Sequence, residues 1–76
     1  MTVTIYGADW CPDHRRSLAL LQTRGVDHVH VDTDTEDGAR RAREISGVGT
    51  IPVVVLPDGS HLVEPSDEQL SARLDS

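Results

Sequence analysis

The stretch Pro52-Val53-Val54-Val55-Leu56 narrows the architecture more than any other part of the chain. Val53 to Leu56 are all apolar, and the three valines are β-branched. A strand of this kind has no polar side to turn towards water. It suits a central strand covered on both faces. A chain built around it needs helices above and below one sheet.

The rest of the sequence supplies them. Val3 to Tyr6 is apolar and β-branched, a first strand. Pro12 then marks the first position of a helix, with Cys11 as the half-in cap residue. Leu18, Leu20 and Leu21 offer its buried face, and Gly25 ends it. His28 to Asp32 alternates polar and apolar, the strand period. Thr33 to Thr35 offers caps for a second helix, in which Ala39, Ala42 and Ile45 share a face while Arg40, Arg41, Arg43 and Glu44 point outward. Gly47 and Gly49 break it. Pro57-Asp58-Gly59 is a turn that returns Ser60 to Glu64 as a partner strand for Val53 to Leu56. Ser66 and Gln69 form a capping box for a last helix with Leu70 and Leu74 inward. The order β-α-β-α-β-β-α predicts one domain over residues 1–76, of α/β class, with a four-stranded mixed sheet flanked by helices.

Bulk properties exclude several functions. Seventy-six residues make a small core that must rely on ordinary packing, because a single cysteine cannot form an internal disulfide. One cysteine also excludes a structural zinc site of the usual cysteine-rich kind. The net charge of -6 would repel nucleic-acid phosphates. Every basic side chain is arginine, so lysine chemistry is excluded. No apolar run approaches the roughly 18 residues of a membrane span. Val3 to Tyr6 is too short for a signal peptide and lacks a basic flank, so a cytoplasmic location is expected.

The chemistry centres on Ala8-Asp9-Trp10-Cys11-Pro12-Asp13-His14. A thiol is nucleophilic as thiolate, and a helix start favours that form through unpaired N–H groups and the dipole. Arg15 and Arg16 add positive charge, whereas Asp9 and Asp13 oppose it. Cys11 as a small buried hydrophobe is the plainer alternative. Its place beside Trp10 and Pro12, at a strand-to-helix junction, favours the reactive reading. His14, one turn on, suits a general base, a donor to the thiolate or a metal ligand with Cys11. A polar surface residue is the other reading. His28 and His30 share one strand face and read as half-exposed polar residues, with no carboxylate spacing that would make a metal site.

Taken together, Ile5-Tyr6, Trp10-Cys11-Pro12-Asp13-His14, Thr50-Ile51-Pro52 and Asp58-Gly59 resemble the glutaredoxin family, including the mycoredoxins, from Val3 to about Leu74. The resemblance implies a thioredoxin-like fold and thiol–disulfide exchange. It makes Cys11 the nucleophile and Pro52 a cis-proline, a bond type that only X-Pro adopts readily. Trp10, Pro12, Thr50, Ile51 and Pro52 would then contact the bound thiol compound or peptide. Ser66 and Asp67 align with the polar pair that holds the amino-acid end of glutathione, and also read simply as a helix cap and first-turn acid.

Two departures shape the mechanism. His14 stands where dithiol members carry their second cysteine, which leaves a monothiol cycle through Cys11. Ala8 stands where glutathione-using members often carry a basic residue, which favours mycothiol over glutathione. The implied partners are a small thiol and disulfide-bearing protein substrates, neither nucleic acid nor membrane, and the expected state is a monomer. No tightly bound cofactor and no metal ligand set are assigned. Two further readings stay open: a two-subunit iron–sulfur module, against which the absent Gly-Phe-Ser sequence counts, and a binding module without catalysis.

Overall fold

The computed structural model describes residues 2–75. In chain order the elements are β1 (Val3–Gly7), α1 (Pro12–Thr23), β2 (His28–Asp32), α2 (Glu36–Ser46), β3 (Val53–Val55), β4 (His61–Val63) and α3 (Asp67–Leu74). The four strands form one sheet in the order β2-β1-β3-β4. β1 and β2 run parallel, with Val3 opposite His28 and Gly7 opposite Asp32. β3 is antiparallel to β1, with Ile5 opposite Val54 and Tyr6 opposite Val53. β4 is antiparallel to β3, with Val54 opposite Leu62.

The apolar run therefore lies inside the sheet, and strand alternation divides it between two cores. Val54 joins Val3, Ile5 and Leu56 on one face, where Leu21 of α1 and Leu70 of α3 cover them. Val53 joins Tyr6 on the other face, covered by Ala42 of α2, with Ile45, Val55 and Val63 packed around them. Val53 and Val54 are both completely buried, as a strand covered on both sides requires.

Local chemistry starts and stops each helix. Cys11 is the N-cap of α1 and Pro12 its first residue, whose missing N–H would have had no helical partner in any case. Arg24 is the C-cap, and Gly25 follows with φ of +66°. Thr35 caps α2: its Oγ1 accepts from the Gly38 amide at 3.0 Å and donates to the Asp32 carbonyl at 2.9 Å. α2 ends at Gly47, whose φ of 77° lies in the left-handed region that favours glycine. At α3 the expected capping box is complete. The Gln69 amide donates to Ser66 Oγ at 3.1 Å and the Ser66 amide donates to Gln69 Oε1 at 2.9 Å.

The buried stripe of α1 differs from the expected one. Its fully buried side chains are His14, Ser17 and Leu21, whereas Leu18 and Leu20 only flank the core. The stripe is polar towards the helix start because it passes beneath the end of β1, where a glycine leaves room for a ring.

Leu70 and Ser66 separate packing from capping within one helix. Leu70→Ala is expected to cost about 2–5 kcal/mol, by loss of burial plus an unfilled cavity. Ser66→Ala should cost about 1 kcal/mol, by loss of one cap bond. Urea unfolding followed by circular dichroism checks both; equal losses would contradict this division.

Candidate functional site

The site lies at the end of the sheet where β1 stops. Because Tyr6 pairs with Val53, continuing the antiparallel register sets Gly7 beside Pro52. The turn that leads into Cys11 and the segment Thr50-Ile51-Pro52 therefore meet at the same end. The parallel pairing of Gly7 with Asp32 brings the Thr33–Thr35 loop there too. Three segments that are distant in sequence converge through strand pairing alone.

Cys11 is a free thiol, 9% exposed. Its amide donates to the Ala8 carbonyl at 3.0 Å, and its carbonyl accepts from the Arg15 amide at 3.0 Å, so the backbone is held on both sides. Cap residues such as serine or threonine spend their side chain on the amides of the first turn. Cys11 makes no such side-chain bond. The thiol is therefore not committed to capping the helix.

The Ile51–Pro52 peptide is cis, as the resemblance implied. Pro52 is buried, and its carbonyl accepts from the Glu64 amide at 2.9 Å, which ties the segment to the end of β4. Thr50 is exposed and Ile51 half-buried. Both line a groove of about 180 Å³ together with Trp10, Asp34 and Arg43. Trp10 is 67% exposed, yet its indole N–H is anchored on the Asp34 carboxylate at 2.9 and 3.1 Å. Asp34 in turn is held by the Asp32–Asp34 turn, in which the Asp34 amide donates to Asp32 Oδ1 at 2.9 Å. A large apolar ring is thus presented to solvent on a rigid mount. Of the residues named as a binding surface from the sequence, Trp10, Thr50 and Ile51 line this groove, together with Asp34 and Arg43, which were not named as part of it. The signal was available in the parallel pairing of the first two strands, which places the loop after His28–Asp32 beside the turn after Val3–Gly7.

The structure does not bring Ser66 and Asp67 into this groove. Ser66 is committed to the capping box. Asp67 meets Arg16 of α1 at 3.5 Å, with half of its side chain still exposed. Arg16 also pairs with Asp13 at 3.1 Å and lies 3.4 Å from the Pro65 carbonyl. These links fasten the start of α3 to the first turns of α1. Pro12 is exposed beside Cys11, and neither of them nor Pro52 lines the groove, although Trp10 and Ile51, their chain neighbours, do.

His14 corrects the surface reading of that residue. The ring is completely buried, and neither nitrogen has a hydrogen-bond partner among the described residues. It packs against Gly7, where an added Cβ would lie 2.1 Å from His14 Nδ1. Its ring centroid is 4.8 Å from that of His30. Burial is the main cause that pushes the His14 pKa below its ordinary value, and the neighbouring His30 pushes the same way; Asp9 and Asp32 oppose them. The imidazole is therefore neutral at neutral pH and adds no positive charge to this end of the helix. The physical reason for the burial is positional. His14 is three residues before Ser17 and seven before Leu21, so it continues the inward stripe of α1.

The sheet order and the placement of α1 and α3 on one face and α2 on the other make this a thioredoxin-like α/β fold. Comparison with known proteins narrows the class. The sequence matches the Glutaredoxin family profile over residues 3–62. It is 34% identical to Mycoredoxin 1 of two Corynebacterium glutamicum strains over 74 residues, covering 97% of this chain and 94% of theirs. The fold superposes on the crystal structure of a glutaredoxin from Archaeoglobus fulgidus with a TM-score of 0.85 at 30% identity, covering 97% of this chain and 86% of that one. A solution structure of a structural-genomics target from X. campestris gives a TM-score of 0.66 at 27% identity, covering 99% and 94%. The chain belongs to the glutaredoxin family of thiol–disulfide oxidoreductases, and within it is mycoredoxin-like.

Gly7 and His14 form a coupled pair. Gly7→Ala forces the buried ring to move and is expected to cost about 1–3 kcal/mol, as for other overpacked cores. Combined with His14→Ala, the two losses should not add, because the second change removes the ring that the new methyl group strikes. A double-mutant cycle on unfolding free energies measures this; additive losses would show that the pair is not in steric contact.

Proposed function

We propose that the protein reduces mixed disulfides by a monothiol cycle through Cys11, with mycothiol in preference to glutathione as the co-substrate. The observation that carries this reading is the single free thiol of Cys11 at the N-cap of α1, with its side chain uncommitted to capping, at the sheet end where the cis-proline segment closes in. No second thiol exists for an internal resolving step.

The cycle follows from that inventory. The Cys11 thiolate attacks the small-thiol sulfur of a protein–small-thiol disulfide. The old S–S bond breaks, the protein thiolate leaves and takes up a proton, and a disulfide forms between Cys11 and the small thiol. A second small thiol, as thiolate, attacks the small-thiol sulfur of that adduct. Cys11 thiolate is released and the two small thiols depart as their disulfide. Over the cycle the protein sulfur gains one electron and the second small thiol's sulfur loses one, while the first small thiol's sulfur starts and ends in a disulfide.

Trp10, Thr50 and Ile51 line the groove in which the small thiol would lie, with cis-Pro52 shaping the segment and Pro12 flanking the sulfur. Asp34 and Arg43 add polar groups to it. Asp67, paired with Arg16, and Ser66, which caps α3, stand outside this groove and would meet only a part of the small thiol that extends beyond it. His14 is assigned a role behind the site and not as a partner in proton transfer, because its ring is buried against Gly7. Three observations support mycothiol over glutathione. Ala8 takes the place of the basic residue, and the similarity to Mycoredoxin 1 spans nearly the whole chain. Among the groove residues Arg43 is the one cation, which favours a neutral thiol over the two carboxylates of glutathione.

The test is turnover with mixed disulfides of mycothiol and of glutathione, assayed in parallel with wild type and Cys11→Ser. Cys11→Ser should abolish turnover, and the mycothiol substrate should give the higher kcat/KM. Equal or reversed kcat/KM values would remove the mycothiol preference, and activity surviving in Cys11→Ser would remove the cycle. Trp10→Ala should raise KM more than it lowers kcat, as expected for a residue that binds but does not react.

A further inference from the structure

Three side chains from three segments converge on one point. Asp9 comes from the turn after β1, His14 from α1 and His30 from β2. Each offers one ligand atom, and these atoms all lie within 4.8 Å of one another. His14 is completely buried with both ring nitrogens unpartnered, whereas buried polar groups in folded proteins are nearly always hydrogen-bonded. Gly7 is the reason the ring fits, since any side chain there would occupy its place. The fold therefore makes room for an imidazole and then gives it no hydrogen-bond partner among the described residues. That arrangement needs a reason, and a lone pair awaiting a cation supplies one.

His30 is arranged to match. Its Nε2 lies 3.3 Å from the Gly7 carbonyl, and donating N–H there leaves Nδ1 as a free lone pair. Histidine ligands commonly have their second nitrogen engaged in this way by a backbone carbonyl. Asp9 adds a carboxylate at the exposed edge and offsets part of the cation's charge.

We propose that Asp9, His14 and His30 bind a divalent transition-metal ion of the zinc type. Two imidazoles and one carboxylate suit zinc and its borderline neighbours better than calcium or magnesium, which take oxygen ligands. Ligands at about 2.0–2.1 Å in a tetrahedron stand about 3.3 Å apart, so the site must draw in from the observed spacing. Asp9 and His30 are exposed and can rotate, while buried His14 is the fixed post. Three protein ligands leave a fourth position for water. The site uses no sulfur, so it is separate from the thiol chemistry proposed for Cys11 and would survive the failure of that reading.

The experiment titrates Zn²⁺ alone into the metal-free Cys11→Ser protein, in competition with a chromophoric chelator. This background removes thiolate binding. One zinc per chain is expected. His30→Ala and Asp9→Asn, introduced singly, should each weaken binding about 10-fold or more, as loss of a group supporting the metal does. Because His14 is buried, its role is read in the folded Cys11→Ser protein by ¹⁵N shifts of the histidine rings. His14 and His30 should move on zinc addition, and His28 and His61 should not. Absent binding, binding unaffected by His30→Ala and Asp9→Asn, or shifts at His28 or His61 instead would each overturn the proposal.

Discussion

The register between β1 and β3 is the constraint on which the rest of the molecule depends. Pairing Tyr6 with Val53 and Ile5 with Val54 aligns the two central strands so that each face of the sheet carries one valine of the apolar run. A slip of one residue would exchange the faces and strand Leu21 and Leu70 against the wrong partners. The same register decides the chemistry. It sets the end of β1 against the start of β3, so that the segment leading to Cys11 meets the cis-proline segment. Core and site are products of a single pairing.

The sheet end is also where polar groups enter the interior. The core beneath α1 and α3 is aliphatic, yet the stripe of α1 that faces it begins with His14 and Ser17, neither with a hydrogen bond at its side-chain polar atoms among the described residues. Leaving such atoms unpaired opposes stability by about 1–3 kcal/mol each. A chain of 76 residues has little stability to spare. Concentrating these groups in the first turns of the helix that Cys11 caps is what a site does and what a purely structural core avoids. Gly7 is the enabling residue: it gives up a side chain in a central strand so that an imidazole can be buried there.

The surface on the other side of the thiol follows a different logic. Trp10 is held out into solvent by a charged acceptor, Asp34, and not by packing. An exposed ring fixed this way keeps its contact area available to a ligand with little conformational freedom left to lose. Arg16 performs the matching task behind the helix start, linking Asp13, the Pro65 carbonyl and Asp67, so that α3 and α1 present one continuous edge.

Much of this was legible in the chain itself. The apolar run, the alternation in His28 to Asp32, the glycine stops and the Ser66–Gln69 box report local preferences, and each element formed where they pointed, with β3 and β4 one or two residues shorter than read. Cys11, Trp10 and the Thr50-Ile51-Pro52 segment were legible as well, because a helix cap and an X-Pro bond are local features. His14 was not. Whether a histidine in the first turn of a helix faces water or the interior depends on what lies opposite, and what lies opposite is a glycine in a strand that the helix packs beneath. The pairing of Trp10 with Asp34 and the gathering of Asp9, His14 and His30 likewise span separate segments. Sequence determined which residues could cap, turn and pair. Only tertiary structure decided which of them met, because strand register and helix rotation are set by the packing of the whole chain.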